Sequence, residues 1–245
     1  MDWFDCNCGY GVSAKPLGVA MPTAAGLAGE LEFCGVGEAL VYHVGMDGDS
    51  PQVGNRLVVE ETKDHPALHP TWAVLPPQTG EQGTVDEFLD SMRENGVKAL
   101  RAYPEEHRYL LNGLTFGSLF QEIIPRRVPL FVKPDWRGIT ELLADFPELT
   151  LVIVGHGSWG DDRFFRPLVE RYERLYLDTA DHQLAEGLAD FVRKYGADRF
   201  LYSSGTPDLQ MGAALVTLAG ADMPQAAKKA IAGGNLRRLL SEVRL

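Results

Sequence analysis

Residues 128–156 read VPLFVKPDWRGITELLADFPELTLVIVGH. An apolar run, 128–133, stops at Pro134. A stretch with helical spacing, 138–146, follows it, and a second apolar run, 149–156, comes next. The second run is almost free of polar residues, which marks a strand covered on both faces. Two such strands joined through one helix form a parallel unit with a right-handed crossover.

The same alternation extends to both ends of the chain. Upstream, WFDCN (3–7) reads as a strand, followed by a long Gly- and Ala-rich connection with a helix near 23–32. EALVYHV (38–44) is a strand, 55–63 a helical stretch, and HPTWAVL (69–75) a strand stopped by Pro76 and Pro77. TVDEFLDSMRENG opens on a capping box, Thr84 with Glu87, and closes at Gly96. VKALRAY (97–103) is a strand and 115–124 a helix. Downstream, FFRPLVERY is helical, RLYLDT (174–179) is a strand, 182–196 a helix, and DRFLYSS (198–204) the last strand. Three further helical segments, PDLQMGAALVTLA, PQAAKKAIA and NLRRLLSEV, form the tail. The predicted fold is α/β: a (β/α)8 TIM barrel, one domain over 1–245, with extra C-terminal helices. An open doubly wound sheet has the same alternation. Eight units in 245 residues match the barrel better, and no GxGxxG follows the first strand.

Composition narrows the partners. The hydrophobic share of 45% and charged share of 23% are those of a globular protein with a sizeable core. The net charge of -11 argues against a nucleic-acid backbone or an anionic membrane surface. No apolar run reaches membrane-spanning length, and MDWFDC carries no basic leader, so a cytoplasmic location is expected. The chain has three cysteines, Cys6, Cys8 and Cys34, an odd count that points to reduced thiols. The C-x-C spacing of Cys6 and Cys8 is not the C-x-x-C of thiol exchange, and no second pair completes a four-ligand zinc site. Both read as buried thiols on a core strand. A homo-oligomer is allowed for, without any interface signal.

A parallel barrel places its site at the C-terminal ends of the strands. The polar residues there are Asn7, His43, Arg101, Tyr103, Lys133, His156, Asp178, Thr179, Ser203 and Ser204. Trp136 and Trp159 fall in the loops after the fifth and sixth strands. Each has an ordinary reading as well. Lys133 can snorkel, His156 can be a satisfied core histidine, and Asp178 can cap the next helix. Arg101 can pair with Glu105 or Glu106, and His43 reads as structural. His65, His69, His107 and His182 read as solvated, and no G-x-S-x-G elbow is present.

These segments resemble the amidohydrolase-related family of TIM-barrel metal-dependent hydrolases and decarboxylases. GADRFLYSSGTPDLQMGAALVTL and AIAGGNLRRLL, within 196–240, look like that family's last strand and closing helices, which carry G-S-D-x-P and G-N-x-x-R-L-L type sequences. FPELTLVIVGHGSWG (146–160) resembles its sixth-strand segment and VPLFVKPDW (128–136) its fifth. FDCNCG (4–9) resembles its opening strand, normally D-x-H-x-H. The resemblance implies the barrel and the place of the site, but the metal ligands depart from it. Lined up on Asp5, the two histidines become Asn7 and Gly9. The strand-five histidine becomes Lys133, and the aspartate after strand eight becomes Gly205. Only His156 keeps the family's residue. A catalytic zinc needs about three protein ligands, so no metal or other cofactor is expected and zinc is disfavoured. Strand alternation places Asp5, Asn7 and Gly9 inward, with Cys6 and Cys8 outward against helices.

The function expected is that of a hydrolase or lyase acting on a small anionic substrate without the usual metal. Lys133 would supply positive charge or, buried with a lowered pKa, act as a base or amine nucleophile. His156 would move a proton and Asp178 orient it. Asn7, Arg101, Tyr103, Trp136 and Trp159 would bind substrate, with Arg101 facing the anion. Two other readings stay open. One is a metal enzyme with a rearranged ligand set, His156, Asp178 and His43. The other is a non-catalytic member that binds a ligand or partner through the old site.

Overall fold

The computed structural model describes every residue except 14, 158, 159, 183 and 184; Trp159 therefore lies outside the described residues. Strands β1 (Phe4–Tyr10), β2 (Glu38–His43) and β3 (Leu68–Pro70) pair in parallel in that order. Strands β4 (Trp72–Ala73), β5 (Leu100–Ala102), β6 (Leu130–Val132), β7 (Leu151–Ile153), β8 (Leu175–Asp178) and β9 (Phe200–Leu201) form a second parallel run. The two runs join at both ends. The Cys6 N–H donates to the Tyr202 carbonyl at 2.9 Å, which closes β1 onto the last strand. At the other join the predicted third strand is broken at Thr71. Pro70 has no N–H to donate, and Thr71 gives both its N–H (2.9 Å) and its hydroxyl (2.8 Å) to the Val41 carbonyl. The chain then crosses to β5, with Trp72 N–H on the Ala99 carbonyl at 3.2 Å. With β3 and β4 taken as one broken strand, the result is the eight-stranded barrel.

Helices surround it: α1 (Ala24–Cys34), α2 (Gly45–Gly48), α3 (Pro51–Thr62), α4 (Val85–Glu94), α5 (Gly113–Ile123), α6 (Trp136–Asp145), α7 (Asp162–Arg171) and α8 (Ala185–Tyr195). Helix α3 begins earlier than its apolar pattern predicts, because Ser50 caps it and Pro51 stands in its first turn. Helix α4 opens on the predicted capping box. The tail is α9 (Met211–Gly220), α10 (Gln225–Lys229), a π turn (Ala230–Gly234) and α11 (Asn235–Ser241). Inside the barrel Phe4, Cys6, Leu40, Phe131, Val152, Tyr176 and Leu201 pack together, and Leu236, Leu239 and Leu240 of α11 plug its N-terminal end. Among the described residues no helix is long and apolar enough to cross a membrane.

Strand β1 corrects the expected alternation. Asp5 pairs with Ala39 but Cys8 pairs with Val41, so the strand carries an irregularity of the bulge type. A bulge resets which residues face inward. Cys6 therefore joins the barrel interior, not the helix side, while Cys8 packs in the outer core with Leu27 and Leu31. Asp5, fully buried, turns to backbone. Its Oδ1 accepts from Asn7 N–H at 2.9 Å and its Oδ2 from Ser204 N–H at 3.0 Å.

Candidate functional site

A cavity of about 270 Å³ opens at the C-terminal ends of the strands. Asn7 and Tyr42 enter it from β1 and β2, Arg101 and Tyr103 from the end of β5, and Phe131 and Lys133 from that of β6. Gly155, Asp181, Gly205 and Asp208 follow β7, β8 and β9. Four of the predicted residues, Asn7, Arg101, Tyr103 and Lys133, thus line one space. His156, Asp178 and Trp136 do not.

Arg101 is the most buried charge of the cavity wall, 3% exposed. Its Nε donates to Thr71 Oγ1 at 2.8 Å and its Nη1 to Asn7 Oδ1 at 2.7 Å. The guanidinium carbon lies 4.4 Å from the centre of the Tyr42 ring and 5.2 Å from that of Phe131. Aromatic faces attract such a cation, and the two hydrogen bonds fix its plane. Both partners are neutral. The alternative pairing with Glu105 or Glu106 is not made among the described residues, and Glu106 lies instead 3.9 Å from Lys133. Nη2 is buried and has no hydrogen-bond partner. A buried charge without a counter-charge is costly, and no carboxylate pairs with this one among the described residues. The buried Tyr103 hydroxyl lies beside the guanidinium without making a hydrogen bond of good geometry. Burial, opposed by Arg101, pushes its pKa up to about 12, which keeps it a neutral donor.

Lys133 differs from the buried amine expected of it. Its side chain is 56% exposed, with Nζ 3.3 Å from Asp47 Oδ2. Asp47 also accepts from Lys15 at 2.7 Å. Burial pushes the Asp47 carboxyl up, but Lys15 and Lys133 outweigh it and hold the group below its ordinary range. Lys133 is therefore part of a rim ion network, without the desolvation a base or nucleophile would require.

His156 and Asp178 form a buried pair behind the wall. His156 is 1% exposed and meets the Phe165 ring edge-on at 5.1 Å. Its Nε2 lies 3.0 Å from the Asp178 carbonyl oxygen, which only accepts, so Nε2 carries the proton. Nδ1 is buried without a partner. Asp178 does not cap the next helix; its Oδ1 accepts from Gly155 N–H at 3.0 Å. Burial raises its carboxyl pKa, partly offset by His156. His182, expected in solvent, is 8% exposed, and burial pushes it down to about 4. Trp136 stacks on Phe164 at 5.5 Å instead of facing the cavity. Sequence reasoning missed Tyr42 and Phe131. Period-two spacing from Leu40 points to Tyr42, and the same spacing links Phe131 to Lys133. Asp47, Asp181 and Asp208 sit outside the strands, where no periodicity marks them.

The family model described as amidohydrolase matches residues 29–241. The chain belongs to the amidohydrolase family. No curated protein matches the sequence. An uncharacterized TIM-barrel protein from Bordetella bronchiseptica superposes with a TM-score of 0.74 at 18% identity, over 99% of this chain and 99% of that one. A 2,6-dihydroxybenzoate decarboxylase complexed with 2,6-dihydroxybenzoate gives 0.75 at 14% identity, over 98% and 99%. A dihydroxybenzoic acid decarboxylase from Polaromonas, with bound manganese and the inhibitor 2-nitroresorcinol, gives 0.75 at 12%, over 100% and 98%. At these identities the likeness is one of fold.

In this amidohydrolase-family chain the residues at the family's ligand positions do not fit a divalent ion. A side chain at Gly9 would collide with the Tyr42 ring, which fills that space. A Cβ at Gly205 would lie 3.0 Å from that of Ala180, on a backbone with φ of 69°. His156 is bonded to Asp178 and turned away from the cavity. The alternative set is not assembled either, since His43 Nδ1 accepts from Gly45 N–H at 3.1 Å. Among the described residues no group of three or more His, Cys, Asp or Glu side chains is placed to hold a metal.

Proposed function

We propose that this amidohydrolase-family protein takes a small organic carboxylate into the cavity, holds it on Arg101, and acts on it as a hydrolase or lyase without a metal ion. The observation that carries this reading is the buried, partnerless Nη2 of a clamped guanidinium. A fixed guanidinium binds a carboxylate in its plane and stabilises negative charge that develops beside it. Tyr103 adds a neutral donor, and the Lys133–Asp47 ion pair stands at the rim. The aromatic walls, Tyr42 and Phe131, suit a flat acid, in keeping with the dihydroxybenzoates named for two similar structures. The net charge of -11 supports a small-molecule partner over nucleic acid.

A second reading keeps the ligand and drops the reaction: the chain binds its acid without turnover. The seclusion of His156 and Asp178 from the cavity favours it. Calorimetric titration with benzoate tests what the two readings share. Arg101→Gln is expected to weaken binding roughly ten- to hundredfold, the worth of a hydrogen bond to a charged group, with Arg101→Lys in between. Equal affinity in a folded Arg101→Gln protein sinks both. Product formation across lactones, amides and carboxylic acids then separates them.

A further inference from the structure

The charges around the cavity are arranged by depth. Two cations, Arg101 and Lys133, and three carboxylates, Asp47, Asp181 and Asp208, line it. Lys133 is taken up by Asp47 and Glu106, and Asp47 also holds Lys15. Arg101 remains at the closed end without a carboxylate. At the mouth Asp208 is exposed, and among the described residues it makes no ion pair. Lys15, a neighbouring cation, is engaged by Asp47 at 2.7 Å. The space thus has an unmatched cation at its buried end and an exposed carboxylate, Asp208, at its opening, and the rings of Tyr42, Phe131 and Tyr103 line it.

We infer that the preferred ligand is zwitterionic: a monocarboxylate on a flat frame whose far end carries a cationic group facing Asp208. This rests on the carboxylate reading above and narrows it. A dicarboxylate sets its second anion against Asp208, and like charges so placed repel. A neutral tail leaves Asp208 to water. An ammonium tail gains an exposed ion pair, worth about a two- to fivefold change in affinity.

The test uses three ligands of one shape: 4-(aminomethyl)benzoate, 4-methylbenzoate and terephthalate, titrated against the full chain, with 3-(aminomethyl)benzoate as a check on reach. Expected is tightest binding for an aminomethyl compound, about two- to fivefold over 4-methylbenzoate, and weakest for terephthalate. Asp208→Asn, a substitution of an exposed side chain, is expected to bring the aminomethyl and methyl ligands to equal affinity. Terephthalate binding as tightly as 4-methylbenzoate overturns the inference alone, as does an aminomethyl preference unchanged by Asp208→Asn. Failure of all four ligands to bind overturns the carboxylate reading itself.

Discussion

Arg101 owes its position to two irregular residues elsewhere in the barrel. Thr71 is available to its Nε because Pro70 interrupts the third strand, and Asn7 reaches its Nη1 because β1 carries a bulge. Neither irregularity shows in the apolar pattern, so Arg101 and Lys133 look alike from the sequence: a cation at a strand end. Only one of them is buried. Asp178 shows the same limit. It follows Tyr176 at period two, yet it does not line the cavity and lies near the Cys6 thiol. Its carboxyl is raised by burial, so the folded state keeps a proton that the unfolded state has already released. Stability therefore falls as pH rises from the ordinary carboxylate value, about 4, through the native one. Asp5, raised by its own burial, acts in the same direction. Asp178→Asn keeps an acceptor for Gly155 N–H and is expected to flatten the fall of melting temperature above about pH 4. A melting curve series indistinguishable from wild type would remove Asp178 as its source.

Helix α4 is the element whose sequence and structure agree most closely. Thr84 N–H donates to Glu87 Oε2 at 2.8 Å and Glu87 N–H to Thr84 Oγ1 at 3.3 Å. Thr84→Ala is expected to lower the unfolding free energy by about 1 kcal/mol, read from urea denaturation, without moving ligand affinity. The closing segment AIAGGNLRRLL, the most recognisable part of the chain, proves to be a fastening of the barrel. Any Cβ on Gly233 would press on the Asp2 carbonyl and Phe4. Asn235 Nδ2 donates to the carbonyls of Ala197 and Phe200, both at 2.8 Å, and Arg237 bonds Glu38 at 2.8 Å. These contacts hold α11 beneath β1 and β9, where its leucines seal the interior. The residues that made the family legible are therefore those that close the fold, which is why the fold was easier to read than the chemistry.

The molecule keeps the amidohydrolase barrel, while the Tyr42 ring fills the space that a side chain at residue 9 would need. Protein prepared without a nickel column and dialysed exhaustively against a chelator is expected to keep both its melting temperature and its benzoate affinity. Stoichiometric zinc or manganese, or a loss of either property on chelation, would refute the metal-free reading. Alternating apolar runs, proline stops and caps are relations among neighbours along the chain, and they were enough to predict the strands and the barrel. The depth of each strand-end side chain is a different kind of quantity. It depends on strand stagger, on the phase shift in β1 and on which rings other strands bring alongside. Folding put Arg101 between Tyr42 and Phe131 and left Lys133 at the rim. That difference in burial, invisible to periodicity, separates a buried guanidinium from a surface ion pair.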